Sequence, residues 1–332
     1  MEHFLALTDL TPAGLRDLLE KAAALKAEWK ADGNPPLLKG KTLGMVFQKP
    51  SLRTRVSFEM GMIHLGGQAI YISPNEIKLG ERESVPDAAR VLSRYVDGIM
   101  ARVFAHADIL ALAQYASVPV INGLSDYNHP CQGLADLLTI AEYKGWDLGG
   151  KRLTFVGDGN NVAVSLIFGA AMLGMDFAIA GPQGYELPAD VWALGQKLAS
   201  ESSGTLLATH DPHEAVAGAD VVYTDVWASM GQEEETAERA RVFAPYQVNE
   251  ALMAEAKPDA IAMHCLPAHR GQEITDGVCD GPHSALWDQA ENRMHAQKAV
   301  LVELLAEATG GVSRYARNAM QNLVSFGQES KI

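Results

Sequence analysis

Basic charge is in short supply in this chain: 27 Lys and Arg stand against 41 Asp and Glu, for a formal net charge of −14. No basic charge is spread over a face, which argues against nucleic acid and anionic membrane surfaces as partners. Basic residues that do cluster then mean local anion binding. Cysteine is almost missing, with Cys131, Cys265 and Cys279 too few and too odd in number for a disulfide framework. No CxxC or His-rich spacing suggests zinc, so neither a metal nor another cofactor is expected, and a reducing cytoplasm is the expected setting. No run of roughly eighteen apolar residues occurs, and residues 1–10 lack a basic stretch followed by an apolar core. Membrane spans and a secretory signal are therefore not expected. There is also no sequence repeat and no intact dinucleotide fingerprint. Gly157-Asp158-Gly159 would need a glycine at 162, where Val162 stands, and the next strand runs into Gly181-Pro182 without a closing acid.

What remains is an ordinary globular composition, 48% hydrophobic and 20% charged, in 332 residues. That length favours two domains over one core. Residues 3–32 read as one helical region, with Thr8 and Thr11 as candidate caps, closed by Asp32-Gly33-Asn34-Pro35-Pro36. Strand-like runs follow at 41–48, 68–72, 98–102 and 119–123, alternating with a helix from Ser51, a polar loop over 73–82, a helix capped by Ser84 and a helix over 106–116. A helix over 131–143 comes next, and the division between domains is placed along it. The alternation then restarts with strands at 152–158, 177–180, 205–209, 220–227 and 260–266, and helices at 161–173, 188–200, 213–218 and 248–256. A long helical pattern over 284–308 comes last. This rhythm predicts an α/β protein of two open, doubly wound parallel-sheet domains with an interdomain cleft, linked by long helices. Residues 1–135 plus 295–332 form the first domain and 136–294 the second.

Ligands of open α/β sheets sit beyond the carboxyl ends of the strands. Five groups meet that condition. Ser51-Leu52-Arg53-Thr54-Arg55 opens a helix after the first strand, where unpaired backbone N–H groups favour an anion and phosphate is the expected guest. Behind it, Val56, Met60 and Ile63 fall at i, i+4 and i+7, as one packed helix face would. Arg102 ends the third strand, Asp158-Gly159-Asn160-Asn161 follows the first strand of the second sheet, Asp225 ends its fourth, and His264-Cys265-Leu266-Pro267 ends its fifth. Arg53, Arg102 and Arg293 offer bidentate clamps for phosphate or carboxylate, although Arg293 reads equally as an ordinary helix charge. His129 can polarise a carbonyl oxygen, or it can be a capping or solvated histidine. Asn160 and Asn161 read as hydrogen-bond donors at a helix start. Cys265 beside His264 resembles a nucleophile and its base, but adjacent strand residues face opposite ways, and a strand-end cysteine can be simple packing. Asp225, with Ser229-Met230-Gly231 beyond it, suits the ammonium and carboxylate of an amino acid.

Ser-Leu-Arg-Thr-Arg, His129-Pro130-Cys131-Gln132, the stretch from Asp225 to Gly231, His264-Cys265-Leu266-Pro267 and Glu291-Asn292-Arg293 occur in the order seen in ornithine carbamoyltransferases. The chain resembles that family over roughly residues 3–308. The resemblance implies a phosphate-side domain and an amino-acid domain, usually in a homotrimer, with carbamoyl phosphate and L-ornithine as substrates and L-citrulline and phosphate as products. It places Ser51, Leu52, Arg53 and Thr54 on the phosphate, and Arg102, His129 and Gln132 on the carbamoyl group. Cys265, Leu266 and Arg293 close the site between the ligands, and Asn161, Asp225, Ser229 and Met230 take ornithine. The expected catalytic set is Arg102, His129, Cys265 and Asp225. An alkyl ammonium of pKa near ~10.4 must lose a proton before it attacks, and the resemblance puts Asp225 and Cys265 near that amine.

Two positions depart from the family pattern. Leu52 stands where threonine is usual, leaving only a backbone N–H for phosphate. Lys78 stands where relatives often have glutamine, in the loop that reaches a neighbouring subunit's site, so Lys78 is expected to cross a trimer interface. The tail beyond Thr309 exceeds the usual family ending, and no function is assigned to it. Transcarbamylases for putrescine, N-acylated ornithine or aspartate are the nearest alternatives. A nicotinamide-dependent oxidoreductase is disfavoured by the broken glycine fingerprint.

Overall fold

The computed structural model describes residues 1–228 and 235–306. Ser229, Met230 and Gly231, and the tail beyond Thr309, lie outside the described residues. The chain divides into two compact units. Among the described residues the first comprises 1–5, 9–123 and 294–306, and the second 6–8, 124–228 and 235–293.

The first unit opens with α1 (Pro12–Asp32), capped by the Thr11 hydroxyl, which accepts from the Gly14 amide. The helical pattern expected from residue 3 is interrupted. Phe4 bridges to Ile121 and Leu7–Asp9 is a 3-10 turn, so Thr8 caps nothing there. Four parallel strands follow: β1 (Thr42–Phe47), β2 (Gln68–Ile72), β3 (Gly98–Arg102) and β4 (Val120–Leu124), in spatial order β2-β1-β3-β4. Their connections are α2 (Leu52–His64), α3 (Pro74–Ile77), α4 (Val85–Leu92) and α5 (His106–Tyr115). The stretch 73–82 is therefore not all loop. Ser73-Pro74-Asn75-Glu76 makes one helical turn, with Glu76 Oε2 accepting the Ser73 amide at 2.7 Å, the return half of a capping box. Val46, Ile99, Ala101 and Val120 of the strands pack with Ala88, Ala89, Ile109 and Leu112 of α4 and α5.

One expectation about α2 is overturned. Val56 and Ile63 are 46% and 53% exposed, and the packed face is Thr54, Phe58, Gly61 and Met62. Both sets have helical spacing. Phe58 and Met62 go inward on the side where Gly61 lets the helix approach the Lys298 and Leu301 side chains closely.

The second unit holds α6 (Pro130–Lys144) and a five-stranded parallel sheet of β5 (Arg152–Val156), β6 (Asp176–Ala180), β7 (Leu206–Thr209), β8 (Val221–Thr224) and β9 (Ile261–His264). Its order is β7-β6-β5-β8-β9. Between the strands lie α7 (Asn161–Met172), α8 (Ala189–Ser202), α9 (Pro212–Val216), α10 (Thr236–Phe243), α11 (Glu250–Met253) and α12 (Asp276–Asp280). The helices α10 and α12 were not anticipated, each being short and mostly polar in sequence. α7 is buried along nearly its whole length, which its run of apolar residues foreshadows. The last described helix is α13 (Leu286–Leu305), and the division between units falls within it, after Arg293. α6 groups with the second unit. No helix among the described residues is long and apolar enough to cross a membrane.

Candidate active site

In the first unit, register explains why the expected residues meet. Phe47 of β1 pairs with Arg102 of β3, so the turn leaving β1 and the side chain ending β3 emerge together at the carboxyl edge. Gln48 fixes this corner, its amide donating to the Arg102 carbonyl at 2.9 Å and its Oε1 accepting from Phe104 N at 2.7 Å. Ser51 is the N-cap of α2, with its Oγ accepting the Thr54 amide at 3.4 Å and lying 3.2 Å from Thr54 Oγ1. Arg102 Nη1 reaches Thr54 Oγ1 at 3.3 Å. Thr54 is buried, and Arg53 is half-buried on the same turn. Arg55 turns elsewhere, bonding Glu59 and lying over the Tyr71 ring at 4.1 Å. The other departure is visible too: the Leu52 side chain is 75% exposed. Lys78, at the end of α3, is exposed with left-handed backbone at φ 41°.

The second unit gathers its residues by the same geometry. Val156 of β5 pairs with Thr224 of β8, which pairs with His264 of β9, so Gly157, Asp225 and Cys265 lie one step beyond three adjacent strands. Asp225 is held from three sides. Its Oδ1 accepts the Val226 amide at 2.8 Å and the Cys265 thiol at 3.0 Å, and its Oδ2 accepts Asn160 Nδ2 at 2.8 Å. Asn160 is also the N-cap of α7, its Oδ1 accepting from Val162 and Ala163. Asn161 Nδ2 donates to the Ser125 carbonyl at 2.7 Å. The helix-start donors that a dinucleotide pyrophosphate would need are thus partly used by Asn160. Gly159 has a packing reason, because a Cβ there would come within 2.5 Å of the backbone at 186–187.

Burial pushes the Cys265 thiol well above its ordinary pKa, and the Asp225 carboxylate adds to the rise. The protonated thiol therefore acts as a donor to Asp225, and a thiolate nucleophile is not what this environment supports. His264 is no base for it. It is fully buried with Nε2 on Glu273 at 3.2 Å, and its Nδ1 accepts the Leu266 amide at 2.8 Å. That contact holds Leu266 at φ 60°, an uncommon conformation for a branched residue. Ligand atoms of Asp225, His264 and Cys265 lie within 4.8 Å of one another, as a metal set would. Both imidazole nitrogens and the thiol are engaged in these hydrogen bonds, so the three residues are already matched without an ion.

His129 precedes α6, is 5% exposed, and caps nothing with its side chain, which removes the capping and solvated alternatives. Its amide donates to Ser165 Oγ at 2.9 Å. Arg293 is not a surface helix charge either. It is 5% exposed and donates from Nη1 to Gln132 Oε1 at 2.5 Å. Two residues escaped sequence reasoning. Buried Arg239 binds Asp158 at 2.7 Å and the Trp227 carbonyl at 2.9 Å, and an exposed-looking helix with no apolar stripe hid it. Asp136 is fully buried within α6, and an acid inside Leu-Ala-Asp-Leu-Leu was the available signal. Burial lifts the Asp136 pKa to about 7, against the lowering effects of Gln132, Gln289, Tyr223 and Arg293.

Known proteins are similar to the chain over both units. Residues 2–142 match the model of the aspartate/ornithine carbamoyltransferase carbamoyl-P binding domain, and residues 149–304 that of the Asp/Orn binding domain. The ornithine carbamoyltransferase of Pyrococcus abyssi is 56% identical over 93% of this chain and 96% of its own length. That of Carboxydothermus hydrogenoformans is 56% identical over 91% and 97%. The solved ornithine carbamoyltransferase of Pyrococcus furiosus superposes with a TM-score of 0.89 at 54% identity, covering 93% of this chain and 98% of that one. With both domains matched over most of its length, the chain belongs to the aspartate/ornithine carbamoyltransferase family.

Proposed function

We propose that this chain transfers the carbamoyl group of carbamoyl phosphate to the side-chain amine of L-ornithine, giving L-citrulline and phosphate. The observation that carries the choice of acceptor is Asp225, a carboxylate oriented by Asn160, Cys265 and its own loop in the unit that matches the Asp/Orn binding domain. An anionic group there attracts an ammonium-bearing acceptor and repels the second carboxylate of aspartate.

In this reading Ser51, Arg53, Thr54 and the backbone N–H of Leu52 hold the phosphate end, and Arg102, His129 and Gln132 the carbamoyl group. Cys265, Leu266 and Arg293 border the reacting atoms. Asn161, Asp225, Ser229 and Met230 bind ornithine. The neutral side-chain amine attacks the carbonyl carbon and a C–N bond forms. The developing oxyanion is stabilised by Arg102, Thr54 and His129, a type of contact worth about 3–4 kcal/mol per donor. Collapse breaks the carbonyl C–O bond, phosphate leaves onto Arg53 and Ser51, and the proton lost by the amine balances the hydrogen phosphate formed. Asp225 and Cys265 orient the amine, with no covalent enzyme intermediate.

A homotrimer, or a multiple of it, completes the reading. Leu52, Val56, Ile63 and Ile70 of α2 and edge strand β2 leave an exposed apolar strip that a second copy would cover. Lys78 of one subunit then serves the phosphate held by the next. Three free thiols fit a reducing cytoplasm. The test is citrulline and phosphate release with carbamoyl phosphate and, in turn, ornithine, putrescine, N-acetylornithine and aspartate. Turnover is expected with ornithine; preferential use of another acceptor would overturn the assignment.

A further inference from the structure

An acid in the middle of an apolar helix is costly unless every lone pair that matters is matched. Asp136 sits among Leu134, Ala135, Leu137 and Leu138, all fully buried, and is itself fully buried. Three elements supply its donors. Gln132, one turn earlier on α6, gives Nε2 to Oδ1 at 2.7 Å; Gln289 of α13 gives Nε2 to the same oxygen at 2.7 Å; and Tyr223 of β8 gives its hydroxyl to Oδ2 at 3.1 Å. Gln289 Nε2 also lies 3.0 Å from the Tyr223 hydroxyl, which closes the ring.

The consequence falls on the far ends of the two glutamines. A primary amide donates from one end and accepts at the other, so fixing one end fixes both. With its Nε2 on Asp136, Gln132 must present Oε1 away from the carboxylate, and there it accepts from Arg293 Nη1 at 2.5 Å. Gln289 is oriented the same way, its Oε1 accepting the His264 amide at 2.9 Å beside Cys265. A helix needing only packing would carry another leucine here. A shared acceptor facing two amides and a phenol specifies one orientation for each of them.

We propose that Asp136 is a positioning residue that sets the amide orientation of Gln132, and through it the Arg293 guanidinium, for the carbamoyl end of the substrate. This rests on the proposed function, which places Gln132 and Arg293 on that ligand. Gln132 with its amide reversed would turn an N–H toward Arg293, and two donors would confront each other. Asp136 prevents that reversal by making the donor end indispensable elsewhere.

The test is a double-mutant cycle on Asp136 and Gln132, read as calorimetric Kd for carbamoyl phosphate together with KM and kcat for citrulline formation. Asp136→Asn keeps an oxygen for both glutamines and turns its Nδ2 to the Tyr223 hydroxyl, so the Kd should stay within about threefold of the parent. Asp136→Ala frees the amide, and the Kd for carbamoyl phosphate should rise about tenfold or more while KM for ornithine moves far less. In a Gln132→Ala background the same Asp136→Ala change should add less than about twofold. Additive losses, or a parental Kd in Asp136→Ala, would overturn the proposal. So would a loss beyond tenfold in Asp136→Asn, which keeps the acceptor. If Asp136→Ala fails to fold, Asp136→Leu refills the volume and carries the same cycle. Failure of the underlying reading looks different: a parent that binds carbamoyl phosphate without forming citrulline leaves the cycle readable as Kd, and a parent that does neither overturns both.

Discussion

Arg53 presents the simplest case at the scale of a residue. It stands half-buried on the first turn of α2, next to a capped helix start and a threonine already bonded to Arg102. A cation at a helix N-terminus is electrostatically misplaced until an anion arrives. Arg53→Ala is therefore expected to raise KM for carbamoyl phosphate and lower kcat together, by on the order of 100-fold in kcat/KM; steady-state kinetics with an unchanged affinity for that ligand would refute the assignment. Cys265 offers the complementary case. Because its thiol is protonated and donates to Asp225, Cys265→Ser keeps a donor in place and should retain turnover within roughly tenfold. Mass spectrometry after incubation with carbamoyl phosphate should find no adduct on the parent cysteine. These roles were partly legible beforehand. The opposed directions of His264 and Cys265 followed from strand geometry alone, whereas the partner of the thiol, Asp225, is 40 residues away and needed the sheet register to be found.

Caps and faces decide matters at the scale of an element. Ser84 and Thr11 were legible as caps because a hydroxyl ahead of a helical pattern has a local job, accepting an amide three residues on, as Ser51 also does; Thr8, a candidate on the same ground, lies inside a 3-10 turn. Asn160 does more than cap, since its other end holds Asp225. Asn160→Ala should destabilise the protein by about 1–2 kcal/mol in urea unfolding and also depress ornithine turnover, while Thr11→Ala should cost about 1 kcal/mol and leave turnover alone. Equal kinetic effects of the two would mean that Asn160 is only a cap. The faces of α2 were not legible in the same way. Val56, Met60 and Ile63 make as good a helical stripe as Phe58, Gly61 and Met62, and only the packing against β1, β2 and α13 side chains distinguishes them. The short helices α10 and α12 were missed because five to eight largely polar residues carry no periodic signal.

Over the whole molecule, protonation and assembly give two measurable expectations. Burial raises the Asp136 carboxyl from 3.8 to about 7, against nearby Arg293 and the bonds from Gln132, Gln289 and Tyr223. Between those values the unfolded chain has released this proton while the folded chain keeps it. The Asp136 contribution to stability is thus full below about pH 4, falls by up to about 1.4 kcal/mol per unit as pH rises toward 7, and is level above it. Chemical unfolding of the parent against Asp136→Asn from pH 4 to 8 isolates this slope, which should vanish in the variant. For assembly, Ile63→Asp puts a charge into the exposed strip of α2 and should yield smaller species in sedimentation with reduced activity. A parental monomer with full activity would remove the trimer and the role of Lys78 together.

Sequence by itself determined what neighbouring residues and periodicity can encode. The strand and helix alternation, the caps, the broken dinucleotide fingerprint and the placement of reactive residues after strands were all read from spacing, because these depend on interactions within a few residues. The ordered motifs then identified the family. Tertiary structure alone decided which side of α2 is packed, that His129 and Arg293 are buried, and that Arg239 and Asp136 are buried with their charges hydrogen-bonded. Each depends on a contact between residues far apart in the chain, such as Gln132 with Arg293 or Asp225 with Cys265. Strand register, which no single segment specifies, is what brings Ser51–Arg55 to Arg102 and Asp225 to Cys265.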